Sequence, residues 1–338
     1  MAAGPRTPRR ARLTGVGAYV PERVMTNAEL EVMVDTTDEW ILARTGIRER
    51  HIAAGDQATT DLAAAAVRDL LDRTGTAPSD IDLLIIATTT PDYVFPPCAP
   101  LVGTMTGMDS VAAFDLNAVC SGFMYGMAQA TGMVEAGLIR RAVVVGADTL
   151  SRIINWEDRA TCVLFADGAG AVMIEADDGA PGTGVVGFDL GSDGSTPGDL
   201  WVPAGGTRTP ITPGVPHADT CIQMNGREVF RFATRILVES SARLLREAGL
   251  TIDDIDLLVA HQANERILDH ASERIGIPRE KVVMNLDRLG NTSSASIPLA
   301  LAEARDTGVL ADGALVLMVG FGAGLTWGSV LARWEPRP

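Results

Sequence analysis

The chain has 338 residues, 46 % of them hydrophobic and 21 % charged, with a net charge of −15 when its four histidines are neutral. That balance excludes a disordered chain, and a protein of this length buries roughly 75 % of its unfolded surface, enough for about two domains. The acidic charge argues against nucleic acid and anionic membrane surfaces as partners. It leaves small anionic ligands and acidic proteins open, because those need only a local arginine cluster.

The opening MAAGPRTPRRAR carries four arginines and reads as a frayed arm. The LTGVGAYVPER that follows is too short and polar for a secretory core, and no apolar run reaches the roughly 18 residues of a membrane span. TTDLAAAAVRDLLDRTG (59–75) has helical spacing, with Leu62, Ala66, Leu70 and Leu71 on one side and Asp61 near the positive end. IDLLIIATTT (81–90), AAFDLN (112–117), RRAVVVGAD (140–148) and CVLFADGAGAVMIEA (162–176) read as strands. DDGAPGTG (177–184) reads as a joint, and the Gly- and Pro-rich stretch 191–219 as a long surface excursion. A long amphipathic helix follows over 226–249, then strands IDLLVAHQAN (255–264) and ALVLMVGFGAG (314–324). Several of these strands are apolar at successive positions, as expected of a sheet covered on both faces.

The stretches 65–90 and 241–263 share one order: amphipathic helix, glycine turn, acidic stretch, IDLL strand. The IDLL runs start 174 residues apart, and the RRAVVVGAD and ALVLMVG apolar runs start 172 apart. Each half closes on a glycine-rich hairpin candidate, 165–174 and 321–334. Two tandem copies of one αβ module explain these offsets.

Cys120 stands between a strand and a helix with small residues at its start, where the helix N-terminus is expected to lower the thiol pKa. Cys98, Cys162 and Cys221 lack that setting. With no CxxC spacing, all four are expected as free thiols in a reducing cytoplasm. His261 lies at the end of a strand, where αβ folds place their sites. Asn291, in a polar turn before a helix, suits either a helix cap or an amide donor. GFGAGLTWG (320–328) suits either a bend or an oxyanion hole. No HExxH or regular ligand cluster appears, so no metal is expected.

Taken together, DTTDEWILARTGIRERHIA (35–53), LNAVCSGFMYG (116–126), HQANERI (261–267), DRLGNTSSASIP (287–298) and GFGAGLTWG resemble the β-ketoacyl-[acyl-carrier-protein] synthase III family over nearly the whole chain. The resemblance implies a thiolase-like α/β fold of five layers, α-β-α-β-α, from two duplicated halves, 12–180 and 181–335. It implies a cytoplasmic homodimer that joins an acyl-CoA to malonyl-acyl carrier protein, with no permanently bound cofactor and with phosphopantetheine supplied by the carrier. It assigns Cys120, His261 and Asn291 as the catalytic set, and the backbone N–H groups of Cys120 and Ala323 as an oxyanion hole. Trp40, Arg44, Arg159, Asn225 and Asn264 are implied for CoA, and Arg231, Arg266 and Arg274 for carrier docking. Leu150, Phe165 and Ile222 would line the acyl pocket, with Phe95 reaching in from a partner subunit. Relatives often carry two basic residues where this chain has Glu273-Arg274, and glycine where it has Ala323. The alternatives are a starter-unit enzyme of polyketide or specialised biosynthesis, an acyltransferase without decarboxylation, and a non-catalytic binding protein.

Overall fold

The computed structural model describes residues 9–177 and 183–336. Two main sheets, of five and four strands, carry helices on both faces of each, and two small two-stranded sheets lie beside them. The first sheet uses β1 (Arg10–Tyr19), β2 (Leu83–Ala87), β3 (Ala112–Leu116), β4 (Arg141–Thr149) and β5 (Asp167–Asp177), in the order β1-β5-β4-β2-β3. The second uses β6 (Val185–Ser192), β7 (Leu257–Ala260), β8 (Leu315–Gly322) and β9 (Thr326–Arg333), in the order β6-β9-β8-β7. The two orders superimpose: β1 answers to β6, β5 to β9, β4 to β8 and β2 to β7. Even β3 has a trace in the second sheet, a parallel bridge between Leu258 and Val282.

Among the described residues, the α-helices of eight residues or more are α1 (Asp38–Thr45), α2 (Thr59–Thr74), α3 (Cys98–Met105), α4 (Gly122–Glu135), α5 (Gly226–Ala248), α6 (Glu265–Ile275) and α7 (Ser296–Asp306). The duplicated segment is visible in them. Both α2 and α5 end on a left-handed glycine, Gly75 (φ 59°) and Gly249 (φ 68°), before a 3₁₀ turn and a parallel strand. Asp61 closes the first turn of α2 by accepting from the Ala58 N–H at 2.8 Å.

Strand alternation explains the continuous apolar runs. Leu83, Ile85 and Val144 share a core with Val259, Val316 and Met318 of the other sheet. The helices between the two sheets are α4 and α7, through residues such as Phe123, Met127, Ile297 and Leu301. The alternate residues Leu84, Ile86, Val143 and Val145 face α2 and α3 on the outside. Leu258, Leu315, Leu317 and Val319 face α5 and α6 in the same way. The result is the thiolase-like five-layer α-β-α-β-α arrangement.

Three local expectations are corrected. The strand expected from Cys162 starts only at Asp167, because 161–164 form turns that wrap the site. The segment 165–174 is no hairpin: β5 is a single strand between β4 and β1, whereas β8 and β9 do form one. The arm expected through Arg12 ends sooner, since β1 begins at Arg10; its first eight residues, and most of the 177–184 joint, lie outside the described residues. No helix among the described residues is long and apolar enough to cross a membrane.

The halves pack backbone against backbone at Gly146 of β4. A β-carbon there would lie 2.1 Å from the Ser294 carbonyl oxygen. We expect Gly146→Ala to cost about 1–3 kcal/mol in urea unfolding and to lower activity, because the displaced backbone belongs to the site. A variant as stable and active as the parent would contradict this close approach.

Candidate active site

The C-terminal ends of the parallel strands converge on one cavity of about 970 Å³, counted with its open mouth. Cys120, His261 and Asn291 all line it, one from each of three separate segments. Cys120 sits in a 3₁₀ turn that leads directly into α4. The preceding Val119 is held at φ 48°, unusual for a β-branched residue, and this tight turn aims the thiol into the cavity. The end of β8 lies against it: a β-carbon on Gly322 would come within 2.7 Å of the Cys120 nitrogen, so only glycine fits.

The thiol departs from the expectation. Burial pushes Cys120 up to about 12 rather than down, and the nearby Asp148 charge acts in the same direction. Desolvation therefore outweighs the Cys120 backbone N–H and a hydrogen bond that the Ser293 hydroxyl donates to Sγ at 3.3 Å.

His261 follows β7 directly, and its N–H donates to Val319 of β8 at 2.8 Å. Burial holds its ring well below the usual histidine range, at about 3, so it is neutral at pH 7. Nδ1 lies 2.7 Å from Ser296 Oγ, which also accepts the Gln262 N–H at 3.3 Å. A serine proton donated to Nδ1 would place the ring proton on Nε2. Phe321 meets the ring edge-on, with centroids 5.4 Å apart.

Asn291 is not a helix cap. Its Oδ1 accepts the Ser293 N–H at 2.9 Å, which leaves the Nδ2 donor for the cavity. Its backbone N–H and C=O bond Leu164 and Ala166, and thereby hold Phe165 against the site. Behind this turn lies fully buried Asp148. It accepts from Thr88 Oγ1, the Thr89 N–H and Thr90 Oγ1 on one oxygen and from Ser294 on the other. Burial raises its carboxyl above the ordinary carboxylate range.

The mouth is basic. Trp40, Arg44, Arg159, Asn264 and Arg266 line it. The guanidinium groups of Arg159 and Arg44 sit 5.1 and 5.3 Å from the Trp40 ring centroid. Arg159 also donates to the Asp35 carbonyl at 2.8 Å. Asn264 serves as N-cap of α6: its side-chain oxygen accepts the Arg266 N–H, and its NH₂ donates to the Arg44 carbonyl. Arg266 lies over the Phe230 ring, 6.0 Å from its centroid.

Other expected residues lie outside the cavity lining. Asn225 is bound to Asp199, beside Met224 and Gly226, which do line the cavity. Leu150 and Ile222 are buried with Phe165 in one cluster, and of the three only Phe165 reaches the wall. Ala323 is half-buried next to Gly322. Arg231 is ion-paired with Glu228, and Arg274 is exposed on α6. Phe95 is 82 % exposed and points away from its own core.

Sequence reasoning missed Ser293, Ser296, Asp148 and Arg50. Arg50 is fully buried and donates to the Met25 and Val163 carbonyls and to Asn27 Oδ1; burial pushes it down to about 10. The only sequence signal for the serines was the NTSSAS run, which reads equally as a helix start.

The chain matches a family model described as 3-oxoacyl-[acyl-carrier-protein] synthase III over residues 114–194, and its C-terminal counterpart over 245–334. It is 49 % identical over 326 residues to a β-ketoacyl-[acyl-carrier-protein] synthase III of Desulfitobacterium hafniense, covering 96 % of this chain and 98 % of that one. The chain belongs to the β-ketoacyl-[acyl-carrier-protein] synthase III family. The synthase III structure from Thermus thermophilus superimposes with a TM-score of 0.90 at 48 % identity, covering 96 % of this chain and all of that one. The priming β-ketosynthase of the R1128 polyketide pathway gives a TM-score of 0.92 at 36 % identity, covering 99 % and 100 %. This family member is accordingly a condensing enzyme: an acyltransferase that forms carbon–carbon bonds by decarboxylating Claisen condensation at the start of fatty-acid synthesis.

The buried histidine leaves a mark on stability. Its folded pKa, about 3, is below its unfolded value near 6.5, so the unfolded state binds the extra proton first. His261 therefore costs nothing above pH ~6.5 and removes stability as pH falls toward 3, at up to about 1.4 kcal/mol per pH unit. Urea unfolding of His261→Gln should lose stability less steeply than the parent between about pH 6.5 and 4. Parallel curves would show that the ring is not buried neutral.

Proposed function

We propose that the enzyme condenses an acyl-CoA starter with malonyl-acyl carrier protein to give 3-oxoacyl-carrier protein, CoA and carbon dioxide. One observation carries this reading. Ser296 engages His261 at Nδ1 and Ser293 engages Asn291 at Oδ1, which leaves two N–H donors, Nε2 and Nδ2, for the cavity that Cys120 shares.

In the first half-reaction Cys120 Sγ bonds the acyl carbon as its thioester to CoA breaks, and CoA leaves with the thiol proton. The malonyl thioester then enters. His261 and Asn291 donate to its carbonyl oxygen and stabilise the enolate formed as carbon dioxide departs. No strong base is required, which suits a neutral histidine. The enolate carbon attacks the acyl-Cys120 carbonyl, whose oxyanion is held by the Cys120 and Ala323 N–H groups. Collapse expels the Cys120 thiolate, which takes up one proton.

The basic mouth suits the anionic ends of both substrates. Trp40 and Arg159 would hold the CoA adenine if Arg159 moves off the ring, with Arg44 toward the phosphates and Asn264 and Asn225 beside the pantetheine. Arg266 and Arg274, neither ion-paired among the described residues, together with Arg231, form the carrier surface. A cytoplasmic homodimer across the free edge β3 completes the reading. It would cover Phe114 and the exposed Tyr93, Val94 and Phe95, and carry Phe95 toward the other protomer's acyl pocket, walled by Phe165 with Leu150 and Ile222 packed behind it. The halves 12–180 and 181–335 are proposed as two copies of one module rather than as independent units.

A panel of acetyl-, isobutyryl-, isovaleryl- and longer acyl-CoAs with malonyl-carrier protein tests the proposal. Intact mass should rise by one acyl group with acyl-CoA alone, and this gain should disappear in Cys120→Ala. Acyl transfer without carbon dioxide release would overturn the condensation. Arg266→Glu should raise KM for the malonyl carrier by about tenfold or more while kcat changes little, consistent with loss of a charge contact. An unchanged KM would remove Arg266 from the docking surface.

A further inference from the structure

The sulfur of Cys120 has a hydrogen-bond donor whose place is set by the opposite half of the chain. Ser293 Oγ lies 3.3 Å from Sγ, and both residues are buried. Ser293 reaches the sulfur because its backbone is held at φ 52°, in the left-handed region. A non-glycine residue persists there only where its surroundings enforce it.

Here they do. The Ser293 N–H is fixed on Asn291 Oδ1. The next residue, Ser294, donates its N–H to Asp148 Oδ2 at 3.2 Å and shares its hydroxyl between Asp148 Oδ2 and the Ala87 carbonyl, each at 2.8 Å. On the other side of the contact Val119, which precedes Cys120, is also at positive φ. Among the described residues, only three non-glycine residues have positive φ, and two of them flank this one contact.

We propose that Ser293 is a catalytic residue: its hydroxyl donates to the Cys120 sulfur whenever that sulfur carries negative charge, both as it attacks the acyl thioester and as it is expelled in the condensation. This rests on Cys120 being the nucleophile. A hydroxyl donor gains strength against an anion, so it favours the charged sulfur over the thiol. The need is evident from the surroundings. Burial pushes the thiol up to about 12, and the other titratable groups near the sulfur are neutral His261 and Asp148, which offer no positive charge. The Gly320–Ala323 stretch and the first turn of α4 carry no charged side chain. The hydrogen bonds that oppose the upward shift come from the Ser293 hydroxyl and the Cys120 backbone N–H.

The test is the pH profile of Cys120 alkylation by iodoacetamide in the full-length protein, with the modified residue located by peptide mass. Ser293→Gly removes the hydroxyl and accepts the left-handed backbone without strain. Ser293→Ala removes the hydroxyl and retains the β-carbon. Both profiles should move up by about one pH unit, with alkylation about tenfold slower at a given pH below the midpoint. A profile that stays at the parent position in either variant would overturn the proposal, because only the hydroxyl is missing from both. Alkylation needs no acyl substrate. Failure here is therefore distinct from failure of the nucleophile assignment, which the acyl mass gain on Cys120 reads separately.

Discussion

Residues 291–296 come from the second half of the chain and press against the first. The Ser294 carbonyl occupies the space where a side chain at position 146 would begin, and the Ser294 N–H and hydroxyl meet the buried carboxylate of Asp148. From this short turn three groups reach outward to three others. Ser293 N–H orients Asn291, the Ser293 hydroxyl touches Cys120 and the Ser296 hydroxyl holds Nδ1 of His261. The proposed nucleophile belongs to one half of the duplicated fold and both amide and imidazole donors to the other. If the turn shifted by an ångström, all three would lose their geometry together, and positioned donors lose most of their value when misplaced.

The charges are partitioned with the same economy. The inner cavity holds a neutral imidazole, a neutral amide and a thiol, while Arg44, Arg159 and Arg266 stand at the mouth. A cation beside the sulfur would ease thiolate formation. It would also stabilise the malonyl carboxylate, which has to be lost. A dry interior with neutral donors favours charge on the thioester oxygen instead, where hydrogen bonds count for more than in water. Against a net charge of −15, the arginine rim is the proposed place of entry for anionic substrates.

Much of the fold was legible in sequence because its signals are local. The IDLL repeat, the glycines that end α2 and α5, and the unbroken apolar runs each report one segment, and sheets covered on both faces leave a periodicity anyone can read. Cys120, His261 and Asn291 could be named because each lies at the end of an element or in a long motif. What escaped depends on contacts between distant segments. Asp148 is one acidic residue at the end of a strand until Thr88–Thr90 and Ser294 close on it. The direction of the Cys120 shift was misjudged for the same reason: a helix start is visible in sequence, but the depth of burial above it is not. The strand start at Cys162 failed because apolar residues that line a cavity look like residues of a sheet.

The proposed chemistry divides the labour, with Cys120 carrying the acyl group and His261 with Asn291 carrying the decarboxylation. Carbon dioxide release from malonyl-carrier protein, measured without any acyl-CoA, separates the two most directly. Cys120→Ala should still release carbon dioxide, whereas His261→Ala and Asn291→Ala should release it at least about a hundredfold more slowly, the scale on which a lost transition-state donor is felt. Release that disappears with Cys120 and persists without His261 or Asn291 would contradict the account.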